Sequence, residues 1–410
     1  MKHSWTSAPL RELCGFHNGL WKGKKGPFEV ATVIPNTNFT STGHIDLSDV
    51  AVLDVEARQL AKRRLKKNDI IIEKSGGGPK QPVGRVALFD LDSEEKYSFS
   101  NFTSAIRVAR PAEVDPVYLH RVLYWWYVSG RTEPLQSHST GIRNLDFNAY
   151  KELDVPLPSL NEQKRIVAVL DQAFAALDRA RAHAEANLAD AIELKRRSVE
   201  YELSADVLGA LEPVGPHVNL LTGFAFKSGG YSDAPDDIRL IRGDNIVQGT
   251  FRWDGVKRWP VADRETHRKY ELALDDVLIA MDRTWVSAGI KYAIVDESAL
   301  PSLLVQRVAR LRGKQSIVPR YLGYWIGSTV FEKYVLSIQR GLGVPHVSGS
   351  QIEDFLIRVP SVETQEAIVD RLDAVVERCS DLMSMYQQKL TDLANLRQSL
   401  LQKAFSGQLT

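Results

Sequence analysis

The sequence predicts two mixed α/β (α+β) domains in tandem, separated by two long helices that form an antiparallel coiled coil, the whole a pseudo-twofold internal repeat. Three observations carry this. At 410 residues the chain is too long for one ordinary core. Residues 141–194 match residues 343–396 at a constant shift of 202. Each matched segment holds an apolar stripe of helical period without a Pro or Gly. The matched pairs include Gly141 with Gly343, Pro158-Ser159 with Pro360-Ser361, Gln163 with Gln365, Ile166-Val167 with Ile368-Val369, and Leu170-Asp171 with Leu372-Asp373.

Residues 1–150 form the first domain. Its β-branched run Asp69-Ile70-Ile71-Ile72 reads as a strand, and Asp115-Pro116 starts a helix, since Pro suits the first helical position. Residues 151–208 form the first helical spacer. Ser159-x-x-Glu162 gives a capping-box start, after which Ile166, Leu170, Ala173, Leu177, Ala180, Ala184, Leu188 and Ala191 recur near every 3.5 residues. Residues 209–352 form the second domain. Val277-Leu278-Ile279 answers the first strand, Gly289-Ile290 answers Gly84-Arg85, and Val318-Pro319 answers Asp115-Pro116. Residues 353–410 form the second spacer, with its stripe at Ile368, Leu372, Val375, Cys379, Leu382, Tyr386, Leu390 and Leu393; here Thr364 stands where the first copy has Glu162, which weakens the capping box.

An apolar stripe also suits a helix facing the core of a bundle. Two matched stripes without enough neighbouring helices to build a bundle favour pairing with each other, through Ile166, Leu170, Leu177 and Leu188 against Ile368, Leu372, Leu382 and Leu390. The first helix leaves domain one and the second must return, so the pair is antiparallel. The two domains are expected at opposite ends of a rod of roughly 60 Å, at about 1.5 Å per residue.

The net charge of +1 hides a partition. The domains carry 20 basic against 16 acidic and 18 against 15 residues, the spacers 8 against 11 and 6 against 9. Mildly basic domains on acidic spacers suit domains that touch phosphates and a rod that does not. Within the domains, basic residues lie in loops with amides and aromatics. Candidate DNA contacts in the first are Lys22, Lys24, Lys25, Asn36, Asn38, Lys74, Lys80, Arg85 and Arg143; in the second they are Lys227, Arg242, Asn245, Arg283, Trp285, Lys291 and His346. Arg and Lys bond guanine edges, Asn bonds adenine edges, and loop donors hold phosphates. Taken singly, each is more simply a solvated surface group; together they make a basic reading face. The run Lys62-Arg63-Arg64-Leu65-Lys66-Lys67 suits phosphate contact and plain solvation equally.

Catalytic signatures are missing. Ser75-Gly76-Gly77-Gly78-Pro79-Lys80 lacks the Gly-Lys-Ser/Thr ending of a nucleotide-binding loop, and Asp92, Glu94, Glu95 and Lys96 read as an acidic turn. The histidines show no HExxH spacing, so no metal is expected, and there is no Asn/Asp-Pro-Pro-aromatic tetrapeptide of amino-methyltransferases. No apolar run reaches the ~18 residues of a membrane span. Met1-Lys2-His3-Ser4-Trp5 is no secretory signal, so a cytoplasmic location with Cys14 and Cys379 as free thiols is expected.

Residues 153–167, Leu-Asp-Val-Pro-Leu-Pro-Ser-Leu-Asn-Glu-Gln-Lys-Arg-Ile-Val, and residues 396–407, which end in Lys403-Ala404-Phe405-Ser406-Gly407, resemble the conserved regions of type I restriction-modification specificity subunits. The resemblance covers the whole chain in organisation. It implies a non-catalytic subunit in which each variable domain reads one half of a split, asymmetric double-stranded DNA target and the helices set the gap. It implies two methyltransferase subunits with S-adenosylmethionine and two restriction subunits using ATP and Mg, with no cofactor in this chain. The competing readings are a targeting adaptor of another phage-defence or methylation system and a stand-alone DNA-binding regulator.

Overall fold

The computed structural model describes residues 5–20, 23–78, 81–139, 142–338 and 346–409. Two units divide the chain: residues up to Ala184 together with those from Gln388 onward, and Glu185–Gln387.

In the first unit the run of isoleucines becomes the strand Asp69–Glu73. It is antiparallel to Val86–Phe89 on one side and to Thr103–Val108 on the other, with Cys14–Asn18 beyond. Ile70, Ile71 and Ile72 are all fully buried, so both faces of the strand are covered and the run is continuous rather than alternating. A second sheet sets Phe28–Ile34 antiparallel to Ala51–Glu56 and parallel to Tyr97–Phe99. The helix Pro116–Val128 begins as read: Asp115 accepts from the Val117 and Tyr118 N–H groups, and proline takes the first turn. Thr6–Pro9 pairs with Asp154–Leu157.

The second unit repeats this plan. Val277–Ala280 lies antiparallel between Tyr292–Ile294 and Val308–Gly313, with Val218–Thr222 beyond. Ile238–Ile241 is antiparallel to Lys257–Trp259 and parallel to Ser302–Leu304. Leu211–Pro213 pairs with Leu356–Arg358.

The duplication extends to single atoms. Asn68 and Asp275 both adopt positive φ, 71° and 67°. The next residue in each copy, Asp69 or Asp276, is fully buried, takes a backbone N–H and grips an arginine through two bonds, Arg107 (2.6 and 2.5 Å) or Arg312 (both 2.7 Å). Gly19 and Gly223 lie where an added Cβ would meet the carbonyl of Ser100 or Val305 at 1.8 or 2.2 Å, so only glycine passes.

The long helices run Leu160–Ser204 and Val362–Phe405. Ser159 Oγ accepts from Glu162 N–H and Ser361 Oγ from Thr364 N–H, so the cap survives the Thr364 departure. In the first unit, Ile166, Leu170 and Phe174 from the start of one helix share a core with Leu401, Ala404 and Phe405 from the end of the other. Arg397 lies over the Phe174 ring at 4.3 Å and pairs with Asp178 at 2.8 Å. In the second unit Leu203 shares a core with Ile368, Val369 and Leu372, and Arg371 pairs with Glu202 at 2.6 Å. Start meets end in both, so the helices are antiparallel. Leu177, Leu188 and Leu390 are half-buried. Leu382 is a correction: it is 38% exposed, and Met383 turns inward instead. From Cys379 the inward steps are Met383, Tyr386, Leu390 and Leu393; with apolar residues at both 382 and 383, only the phase of the helix decides between them.

The terminal Lys-Ala-Phe-Ser-Gly motif now has a physical reason. Phe405 packs against Tyr118 and Trp125 at ring separations of 5.6 and 5.4 Å. Gly407, at φ 73°, lets Gln408 N–H reach Lys403 O and close the helix. Cys14 and Cys379 are free and buried. Among the described residues no helix is long and apolar enough to cross a membrane.

Candidate nucleic-acid interface

In each unit a loop leaves the three-stranded sheet beside the central strand of the larger one. Asn38 and Asn245 anchor these loops. Both are buried, and their side-chain amides donate to backbone carbonyls: Asn38 to Asp46 and Asp49 (2.7 and 2.9 Å), Asn245 to Arg252 (3.2 Å). Asp46 N–H returns to Asn38 O and Arg252 N–H to Asn245 O, both at 2.8 Å, so the two asparagines occupy one duplicated position. Their donors are used inside the protein, which redirects both from base contact to shaping the loop.

Arg85 and Lys291 form a second duplicated position. Glu73 N–H donates to Arg85 O and Ala280 N–H to Lys291 O, so Arg85 answers to Lys291. The sequence match of Gly84-Arg85 with Gly289-Ile290 is therefore off by one residue. Arg85 donates to Asn36 O at 3.0 Å, and Lys291 donates to Gly243 O. Arg85 also grips the buried Glu73 through two bonds of 2.9 Å, while Asn36 Nδ2 donates to the same carboxylate at 2.7 Å. These pairings make Arg85 a buried strut, 17% exposed, rather than a free base reader. Burial pushes the Lys291 ammonium below its usual range; Asp244 opposes the fall, and Arg252 and Arg283 add to it.

The remaining candidates sort by place. In the first unit Lys74 and Arg143 flank the strand Ser75–Gly77, with Asn36 beside Gly76. Arg143 reaches Gln136 Oε1 at 3.5 Å. Lys24 and Lys25 are exposed in the turn before Phe28–Ile34. Lys22 and Lys80 lie outside the described residues.

In the second unit Arg242, beside Asp244 at 2.8 Å, gathers with Arg252, Arg283 and Lys291. Arg283 is exposed and held at φ 47°. Next to it Asp282 accepts from His346 Nδ1 at 2.7 Å and from Arg307. Trp285 is tied back, its Nε1 donating to Glu332 at 2.7 Å. Lys227 stands apart, exposed, at the start of a short 3-10 turn.

The basic run 62–67 is drawn into the fold: Arg63 donates to Gly19 O, Arg64 to Glu94 O, and Lys67 pairs with Asp92. Among the described residues no group of His, Cys, Asp or Glu could hold a metal ion.

Sequence reasoning overlooked Gln163 and Gln365 as structural residues, although it paired them. Both are fully buried. Gln163 Oε1 accepts from Asp115 N–H (2.8 Å), and its Nε2 donates to Glu113 O and Pro158 O (2.8 and 2.9 Å). Gln365 repeats this with Val318 N–H, Ser316 O and Pro360 O. One amide thus locks each long helix to the domain before it, which explains why Gln is the shared feature where the flanking residues differ.

Two similar α/β domains with unlike loop side chains, each clamped to a long helix, define a duplicated scaffold. The family profile described as the type I restriction modification DNA specificity domain matches residues 2–186 and 251–392. The chain belongs to that family, the DNA specificity subunits of type I restriction-modification systems. The EcoAI specificity subunit of Escherichia coli is 34% identical over 172 residues, which is 41% of this chain but only 28% of that protein. The StySPI specificity subunit of Salmonella potsdam is 24% identical over 432 residues, covering 100% of this chain and 90% of its own. Two solved structures share the fold. One, described under complex assembly and conformational transition of the type I R-M system, has a TM-score of 0.79 at 19% identity and covers 99% of this chain and 98% of its own. The HsdS subunit of Thermoanaerobacter tengcongensis has a TM-score of 0.59 at 18% identity with the same coverage.

Proposed function

We propose that this chain selects the DNA sequence on which partner subunits act, each domain reading one half of a split, asymmetric duplex target. The domains, residues 1–150 and 209–352, are the readers, and the spacers, residues 151–208 and 353–410, set the unread gap. The observation that carries this is the duplicated loop frame. Asn38 with Arg85 and Asn245 with Lys291 hold corresponding loops, while the side chains beside them differ, Pro35-Asn36 against Arg242-Gly243. A conserved frame with different contacts is what two unlike half-sites require.

Chemistry falls to the partners. Two methyltransferase subunits would bring S-adenosylmethionine and two restriction subunits ATP and Mg, in the cytoplasm, with this chain binding no cofactor itself. Among the candidates, exposed Lys24, Lys25, Lys227, Arg283 and His346 and half-buried Arg242 are direct DNA contacts, and Asn38, Asn245 and Arg85 act through loop shape.

Co-expression with the methyltransferase gene product encoded beside it, followed by single-molecule sequencing of host DNA for modified adenines, tests the reading. The expected result is a split motif methylated only when both chains are present. Absence of partner-dependent methylation would replace it with the adaptor or regulator reading.

A further inference from the structure

The first domain carries a pair of lysines that its own fold does not require. Lys74 follows the central strand and Lys151 ends the helix Phe147–Lys151. Both are half-buried, and both ammonium groups lie near one ring, at 5.6 and 4.8 Å from the Phe147 centroid. Lys151 also lies 5.0 Å from the centroid of Phe16, which meets Phe147 edge-on. Among the described residues neither lysine has an acidic partner; Lys74 donates only to the Asn18 side chain at 3.1 Å. Burial pushes the Lys74 ammonium below its usual range, and Lys151 adds to the fall. Two converging cations without a counter-ion repel each other, and an anion placed between them would relieve the repulsion.

An aromatic ring under a lysine is often only packing, but the second domain supplies an internal control. Lys74 N–H donates to Phe102 O and Met281 N–H to Arg307 O, so Met281 is the counterpart of Lys74. The matched short helix is Gly349–Glu353, in which Gly349 lies against Leu220 where Phe147 meets Phe16, and Glu353 stands for Lys151. The same frame therefore folds with Met281, Glu353, Leu220 and Gly349. Aromatic platform and lysine pair are a feature of the first domain alone, added to a scaffold that stands without them.

We infer that Lys74 and Lys151, seated on Phe16 and Phe147, form a site for one phosphodiester of the DNA backbone, specific to the first domain. The inference rests on the DNA-reading function proposed above. Neutral polar side chains lie beside Lys74: Asn18 accepts from Lys74 and Ser104, and the adjoining Ser75 donates to Asn144. Two ammonium groups flanked by amides and hydroxyls match a singly charged phosphate, which positions the duplex without reading its bases.

The test measures binding of the full chain, with its methyltransferase partner, to duplex DNA carrying the methylated motif over a range of salt concentrations. Each phosphate neutralised contributes about 0.9 to the slope of log affinity against log salt, however many lysines share it. Lys74→Met with Lys151→Met removes one such contact and is expected to lower the slope by roughly one, with the preferred sequence unchanged. Methionine keeps the packing on the rings, and unchanged circular dichroism checks that the variant is folded. An unchanged slope in the folded double variant overturns the site and leaves the DNA-reading function standing. So does an unchanged slope with weakened partner pull-down, which would assign the lysines to an acidic protein surface. If the wild-type complex shows no preference for any split sequence, the function itself falls and this site with it.

Discussion

At the scale of single residues, Arg85 decides between two roles that its chemistry allows equally. A guanidinium in a basic loop suits a guanine edge, yet here it closes a bidentate pair with Glu73, whose side chain is 1% exposed. Removing one partner of such a pair strands a buried charge and costs about 3 kcal/mol or more, whereas removing both is often close to neutral. The second domain has a different solution: Ala280 stands in the place of Glu73 and Lys291 in that of Arg85, with Asp244 favouring the ammonium. Arg85→Ala is therefore expected to lower the melting temperature by several degrees. Glu73→Leu combined with Arg85→Met, which removes both charges at similar volume, should recover more than half of the loss. Differential scanning calorimetry of the wild type and the two variants reads this directly. Wild-type melting of Arg85→Ala together with lost DNA affinity would instead make Arg85 a contact residue.

At the scale of elements, the long helices were the most legible part of the sequence, because each combines a defined start, a sustained period and freedom from Pro and Gly over more than 40 residues. Their seam was legible to within one residue, Leu382 against Met383. The strands at the centre of each domain were legible for a similar reason: a buried run such as Ile70-Ile71-Ile72 leaves no alternative facing. The loops were not. In sequence Asn38 and Asn245 read as base contacts, because nothing in their chemistry tells an amide spent on its own backbone from one offered to adenine; only the returning N–H groups of Asp46 and Arg252 do. The upstream repeat was likewise visible, but its one-residue misregister hid the equivalence of Arg85 and Lys291.

The helices also carry a prediction of their own. If their length sets the gap in the target, removing one matched heptad from each shortens the spacer by about 10 Å, or about three base pairs at 3.4 Å each. Methylome sequencing of cells carrying the shortened chain should return both half-sites unchanged around a gap reduced by about that amount. Retention of the original gap would refute the ruler.

At the scale of the whole molecule, duplication separates what must stay constant from what is free to vary. The constant part is the set of matched bonds: Asp69 and Asp276 with their arginines, and Gln163 and Gln365 with the backbone before each helix. These bonds lie within each unit and make the same demands in both, so a domain from a related chain that supplies them meets the same clamp. Exchanging residues 209–350 for the corresponding segment of another such chain is therefore expected to leave a folded protein. Gln365 would find its backbone partners again, provided the incoming segment keeps the chain path of residues 316–318. Because the loop side chains of the first domain, the lysine pair included, are untouched, the motif recovered by sequencing should change in one half-site only. Gap and opposite half-site should be inherited from the parent. Alteration of both half-sites would mean that the domains do not read independently, and the duplicated frame would then need a different explanation.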